Sequence, residues 1–171
     1  SLDAFGKKLY ASFNKNISGK RLIWPADTNA LKDYRVFEKR YAGNPLIISM
    51  RRNLAASLND RFNKIVEPLL KGETSYSNRD ECYYAFLELD SCMQLLGEQH
   101  YMYQNLKARK LFMDAMSYTW AINDHEYNVS MHPTLLYAVK QLEESAAIEP
   151  NASYTWSALG QLYTFLYEYD K

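Results

Sequence analysis

The amino-acid sequence predicts an all-α chain, an antiparallel array of helix hairpins with about seven helices. Three observations carry this. Apolar residues recur at alternating three- and four-residue steps along most of the chain, as on one face of an α-helix. No segment shows the strict alternation of a half-buried strand. Glycine and proline number only six and five, and most fall between the periodic segments, where they stop helices.

The elements follow in order. Leu2, Phe5, Leu9 and Phe13 form a first apolar stripe that ends near Gly19. The stretch from Gly19 to Pro25 is a loop pinned to the body by Leu22, Ile23 and Trp24. Thr28 is positioned to cap a second helix with Leu31, Tyr34 and Phe37 facing inward, stopped by Gly43-Asn44-Pro45. A long helix follows on Ile47, Met50, Leu54, Leu58, Phe62, Ile65 and Leu69, with Pro68 in its last turn and Gly72 beyond. Ser77 or Asn78 caps the next, which carries Ala85 and Leu89 and ends at Gly97. Leu106, Leu111, Ala115 and Tyr118 mark a fifth helix, and Pro133 to Ile148 and Ala152 to Tyr169 the last pair.

Composition bounds the class of function. Twenty basic residues balance twenty acidic ones, so no global field gathers nucleic acid or anionic lipid. No run approaches the roughly twenty apolar residues that span a bilayer. The chain opens Ser-Leu-Asp and stops at Lys171, which reads as a piece of a longer protein. The compartment stays open between cytoplasm and an exported form whose signal has been removed. Cys82 and Cys92 share one helix, where ten residues separate them by about 15 Å, beyond disulfide reach, so both read as small core side chains.

The last third carries a repeat signature. Ala138, Leu142 and Pro150 precede Trp156, Leu159, Gly160 and Tyr163, giving A-x-x-x-L…P and then W-x-x-L-G-x-x-Y. Order and spacing resemble the tetratricopeptide repeat over about forty residues, with Leu142 in place of the usual Phe. The resemblance implies that 73–171 is a right-handed superhelix of such repeats, the last one truncated. There Gly160 and Ala138 sit at close helix crossings, and Trp156, Leu159 and Tyr163 pack inward. Ala85, Leu89 and Gly97 echo the A-x-x-x-L…P half; Leu111, Ala115 and Tyr118 echo the other, with Asp114 at the Leu position and an insertion from Asn123 to Pro133. Residues 1–72 match no repeat and form an N-terminal helical segment of unassigned type.

No constellation points to catalysis. There is no nucleophile elbow, phosphate-cradling glycine loop or dinucleotide fingerprint, and Cys92 lies on the apolar side of its helix, away from any role with His100. Asp124-His125-Glu126 with His132 holds metal-capable side chains but lacks regular ligand spacing, so it reads as a solvated loop. Glu143-Glu144 and Asp80-Glu81 point apart on their helices. Lys107, Arg109, Lys110 and the Arg51-Arg52 pair read as charged helix faces rather than a nucleic-acid groove. The expectation is therefore no enzyme, no metal and no cofactor.

What remains is the repeat surface. The resemblance places Tyr154, Ser157, Gln161 and Thr164 on the concave face of the final helix, able to hold a peptide or partner helix by stacking and side-chain hydrogen bonds. It implies a non-enzymatic protein–protein interaction or scaffold module. Two other readings stand beside it: a regulatory or spacer domain of a larger enzyme-containing polypeptide, and a helical domain that binds a small ligand among its tyrosines. With no following helix to cover it, the last helix is expected to leave apolar surface that drives self-association.

Overall fold

A computed structural model describes residues 2–73, 77–123 and 129–169. These form seven α-helices: α1 Ala4–Ser18, α2 Ala30–Arg40, α3 Leu46–Leu70, α4 Arg79–Leu96, α5 Tyr103–Asn123, α6 His132–Ile148 and α7 Ser153–Tyr169. A single 3-10 turn, Val129–Met131, leads into α6, and no strand occurs among the described residues. Each helix packs on the next along the chain, and α3 also reaches α7. The array thus curls enough to bring non-sequential helices together.

Local signals set the helix ends. Asp3 caps α1 by accepting the Gly6 N–H at 2.8 Å. Asn29, not Thr28, caps α2: its carbonyl oxygen accepts the Lys32 N–H while its amide donates to the Ile23 and Pro25 carbonyls. Asn wins because it joins helix and loop at once, whereas the Thr28 hydroxyl turns back to Asp27 at 3.5 Å. Asn78 and Glu81 form a reciprocal capping box that starts α4. At the other end Gly97 leaves α4 at φ 80°, a conformation a Cβ resists. Pro68 sits in the last turn of α3, which closes two residues later.

The core is continuous across the array. Phe13, Tyr34, Phe37, Leu54, Leu58 and Phe62 merge with Leu89, Leu106, Phe112, Leu135, Leu142 and Leu159 in one cluster. At about 1.5–3 kcal/mol for each large apolar side chain removed from water, this cluster is the main favourable term. The 72/73 junction therefore lies in the loop between α3 and α4 rather than at a break in the core. Phe5 departs from its expected inward place: it is exposed, with the Arg40 guanidinium 4.4 Å from its ring centre. Gly6 is the buried residue there, and the Tyr41 ring lies where a Cβ would be.

Helix α5 is turned about one residue from the register its echo of the repeat requires. Phe112 and Met113 are fully buried with Ala115, Leu111 is only half-buried, and Tyr118 is exposed against Tyr137. The larger Phe112 takes the core because α5 packs between α4 and α6, where a ring fills more space than Leu111.

Candidate functional site

The final helix presents two faces. Thr155, Ala158, Leu159, Leu162 and Leu166 are buried against the rest of the array. Ser157, Gln161 and Thr164, three or four residues apart, form an exposed polar strip. Beside it runs a second strip of Trp156, Gly160 and Tyr163.

Two expectations from the repeat pattern are overturned here. Trp156 and Tyr163 do not pack inward; they are 53% and 46% exposed. Nor does Gly160 lie at a close crossing, since nothing comes within 4 Å of a Cβ built on it. The physical reason is the same for all three: no described helix packs on this side of α7, so the face meets solvent. Ala138 and Leu142, by contrast, are fully buried on the inner side of α6.

The polar atoms of the two exposed rings are held within the chain. Trp156 Nε1 donates to the Pro150 carbonyl at 2.8 Å. The Tyr163 hydroxyl donates to Glu143 on α6, and that carboxylate raises the phenol pKa. Thr164 returns its hydroxyl to the Gly160 carbonyl at 2.9 Å. What this face offers outward is therefore chiefly ring surface and small side chains. Leu136, half-exposed and seven residues before Glu143, extends it onto α6.

Tyr154 stands apart from the other three predicted residues. Its ring packs edge-on against Phe112 at 4.7 Å and Phe62 at 6.0 Å, filling the space where α3, α5 and α7 meet. The hydroxyl lies 3.5 Å from Glu149, and burial, reinforced by that carboxylate, pushes its pKa up to about 12. The inner face expected to be an open groove is thus partly filled by Phe62, Tyr154 and Arg109, whose guanidinium lies 5.2 Å from the Phe62 ring. A ring large enough to stack on a ligand is also large enough to close the gap left by the curl of the array.

A second feature lies between the loop 19–28, α3 and α4. This is a cleft of about 550 Å³ lined by Lys20, Arg61, Lys64, Asp60, Glu81 and Glu88. It adjoins a smaller recess walled by Trp24, Pro25 and Tyr84. At its floor Glu88, its side chain only 6% exposed, accepts from Arg61 Nε at 3.0 Å and Nη2 at 3.2 Å. Burial raises the Glu88 pKa above the usual carboxylate value despite the guanidinium beside it. Lys20, in the left-handed region at φ 54°, turns the chain out of α1 and pairs with Asp60 at 2.6 Å.

Sequence reasoning misses this cleft. One signal is present: Glu88 falls at helical spacing between Ala85 and Cys92, which puts a carboxylate on the core side of α4. Such a residue demands a cationic partner, but the sequence does not say that α3 supplies it.

The remaining candidates find plain roles. Lys107 pairs with Glu144, Lys110 with Asp90 and Arg51 with Glu38, so much of the basic cluster is spent inside the fold. Cys82 and Cys92 are both buried, and burial pushes the Cys92 thiol up to about 11. Asp124, His125 and Glu126 lie outside the described residues. Among the described residues no group of three or more His, Cys, Asp or Glu could hold a metal ion, and no helix is long and apolar enough to cross a membrane.

Comparison with protein-family models, curated proteins and solved structures finds no match. The class defined here is accordingly an all-α array of antiparallel helix hairpins.

Proposed function

We propose that this chain is a non-catalytic protein-interaction module and that its contact surface is the exposed face of α7. One observation carries the reading. Trp156 and Tyr163 hold out large ring surfaces whose polar atoms are already bonded within the chain. A partner covering them removes apolar area from water without stranding a donor, the combination that makes Trp and Tyr dominate binding energy at interfaces. The polar strip of Ser157, Gln161 and Thr164 forms the rim beside them.

The test is a pull-down from the source lysate with three baits. These are wild type, Trp156→Ala/Tyr163→Ala, and a cleft variant, Trp24→Ala/Tyr84→Ala. A partner kept by wild type and the cleft variant but lost by the α7 variant supports the reading. Equal capture by all three refutes it.

A second reading, a small-ligand domain, draws on the cleft, where the buried Glu88–Arg61 pair converges with Trp24 and Tyr84 on one cavity. A small molecule that raises the melting temperature of wild type and of the α7 variant but not of the cleft variant favours that reading.

A further inference from the structure

The geometry points to a nucleobase as the ligand of the recess between the loop 19–28, α3 and α4, stacked against Trp24 and Tyr84 with its hydrogen-bonding edge on Arg61 and Glu88. This rests on the small-ligand reading of the cleft and names the chemical class of the ligand.

The walls suit a flat ring. The recess encloses about 440 Å³ between Trp24, Pro25 and Tyr84, with the buried Leu22 also lining it. That volume is in the range of small-molecule sites, about 300–1,000 Å³. Trp24 is 54% exposed and Tyr84 44%. Trp24 makes no ring contact and no hydrogen bond with any other described residue, so its indole is a bare wall rather than packing material. Aromatic faces of this kind hold any base by stacking.

The edge comes from the floor. Arg61 Nε and Nη2 donate to the two Glu88 oxygens at 3.0 and 3.2 Å. Arg61 Nη1 donates to no described residue, and each Glu88 oxygen keeps a further lone pair. The pair therefore offers a donor beside an acceptor, held in place by the burial of Glu88. Every nucleobase carries the complement, an N–H next to a carbonyl oxygen or ring nitrogen.

Charge favours a neutral ring over an ion. The three charged side chains that line the recess are already matched, Arg61 by Glu88 and Lys20 by Asp60 at 2.6 Å. A neutral polar edge gains hydrogen bonds there without stranding a charge, whereas a bare carboxylate or ammonium would be left without a counter-ion. Further along the cleft, Lys64 forms no hydrogen bond or ion pair with a described residue, so a phosphate carried on the sugar has a cation to meet.

The experiment is isothermal titration calorimetry at neutral pH with adenosine, inosine, cytidine and uridine, each beside the analogue whose edge N–H is methylated. At least one nucleoside should saturate wild type below millimolar concentration, its methylated analogue binding about tenfold or more weakly. Trp24→Ala should weaken it about fivefold to a hundredfold, the scale of base–aromatic stacking. Arg61→Met/Glu88→Leu removes the paired edge without leaving a lone charge and should cost about tenfold or more. Trp156→Ala, on the α7 face, should bind as wild type does. Tighter binding of the corresponding 5′-monophosphate, lost with Lys64→Gln, identifies a nucleotide; equal binding identifies the nucleoside. Because Trp24 is an exposed ring, its removal does not put the fold at risk. Saturation by none of the nucleosides, or binding that survives both Trp24→Ala and Arg61→Met/Glu88→Leu, overturns the proposal. Indole-3-acetate, a flat ring without a paired edge, is titrated alongside. If it alone binds, and Trp24→Ala abolishes it, the nucleobase falls and the small-ligand reading stands. If no probe binds, the nucleobase falls and the melting-temperature comparison decides the small-ligand reading separately.

Discussion

Removing the Arg61 side chain should expose how much the packing of α3 on α4 depends on one ion pair. Glu88 is 6% exposed at its side chain and has Arg61 as its bidentate partner, while Arg61 itself keeps 36% of its surface. Stripping the partner from a buried charge costs roughly 3–5 kcal/mol. Solvent reaches the guanidinium side of this pair, so the cost here falls to about 2–3 kcal/mol. The Arg61 guanidinium also stands 5.7 Å from the Tyr84 ring, and truncation takes that cation–π attraction away too. For a chain of this size each kcal/mol moves the melting temperature by about 2–4 °C, which puts Arg61→Ala about 4–12 °C below wild type. Arg61→Met/Glu88→Leu removes both charges, leaves nothing uncompensated, and should recover most of the loss. Calorimetric melts at neutral pH decide the matter. An Arg61→Ala melt within about 1 °C of wild type, or a double variant less stable than Arg61→Ala, would refute the reasoning.

The same pair makes a prediction in pH. Because burial raises the folded-state pKa of Glu88 above its ordinary value of 4.5, its proton-linked stability is full below that value and lost as pH rises through the folded pKa. The stability of wild type relative to Glu88→Gln should therefore shrink between pH 4 and pH 7; a gap that widens would show that Arg61 outweighs burial. Gly160→Ala should stabilise the monomer by about 0.5–1 kcal/mol in urea unfolding at submicromolar concentration, because the site is helical and open. Destabilisation would mean that a close helix crossing is present there after all. Cys92, its thiol pushed up to about 11, should resist iodoacetamide at pH 8 in the native protein. Rapid native alkylation read by mass spectrometry would show that this core opens.

Periodicity alone is enough to place the helices. The stripe Met50, Leu54, Leu58, Phe62 and Ile65 is buried as its spacing demands, and Ala85, Leu89, Ala138 and Leu142 are fully buried on theirs. These residues meet neighbours close in the chain, and the 3.6-residue repeat carries that information locally. Caps are legible for the same reason, although Asn29 displaces Thr28 once the loop brings the Ile23 and Pro25 carbonyls within its reach.

Which face of a helix is covered depends on the whole array. Tyr154 becomes packing material because α3 curls across to α7 and brings Phe62 to it. Trp156, Gly160 and Tyr163 become surface because no described helix lies over them. Glu88 finds Arg61 from twenty-seven residues away, at a separation that no helical period links. The amino-acid order determined the helices, their ends and most inward faces, since those follow from backbone geometry and the burial of apolar stripes. Only the tertiary structure decided the filled inner face, the cleft and the open side of α7, because each depends on where distant helices come to rest.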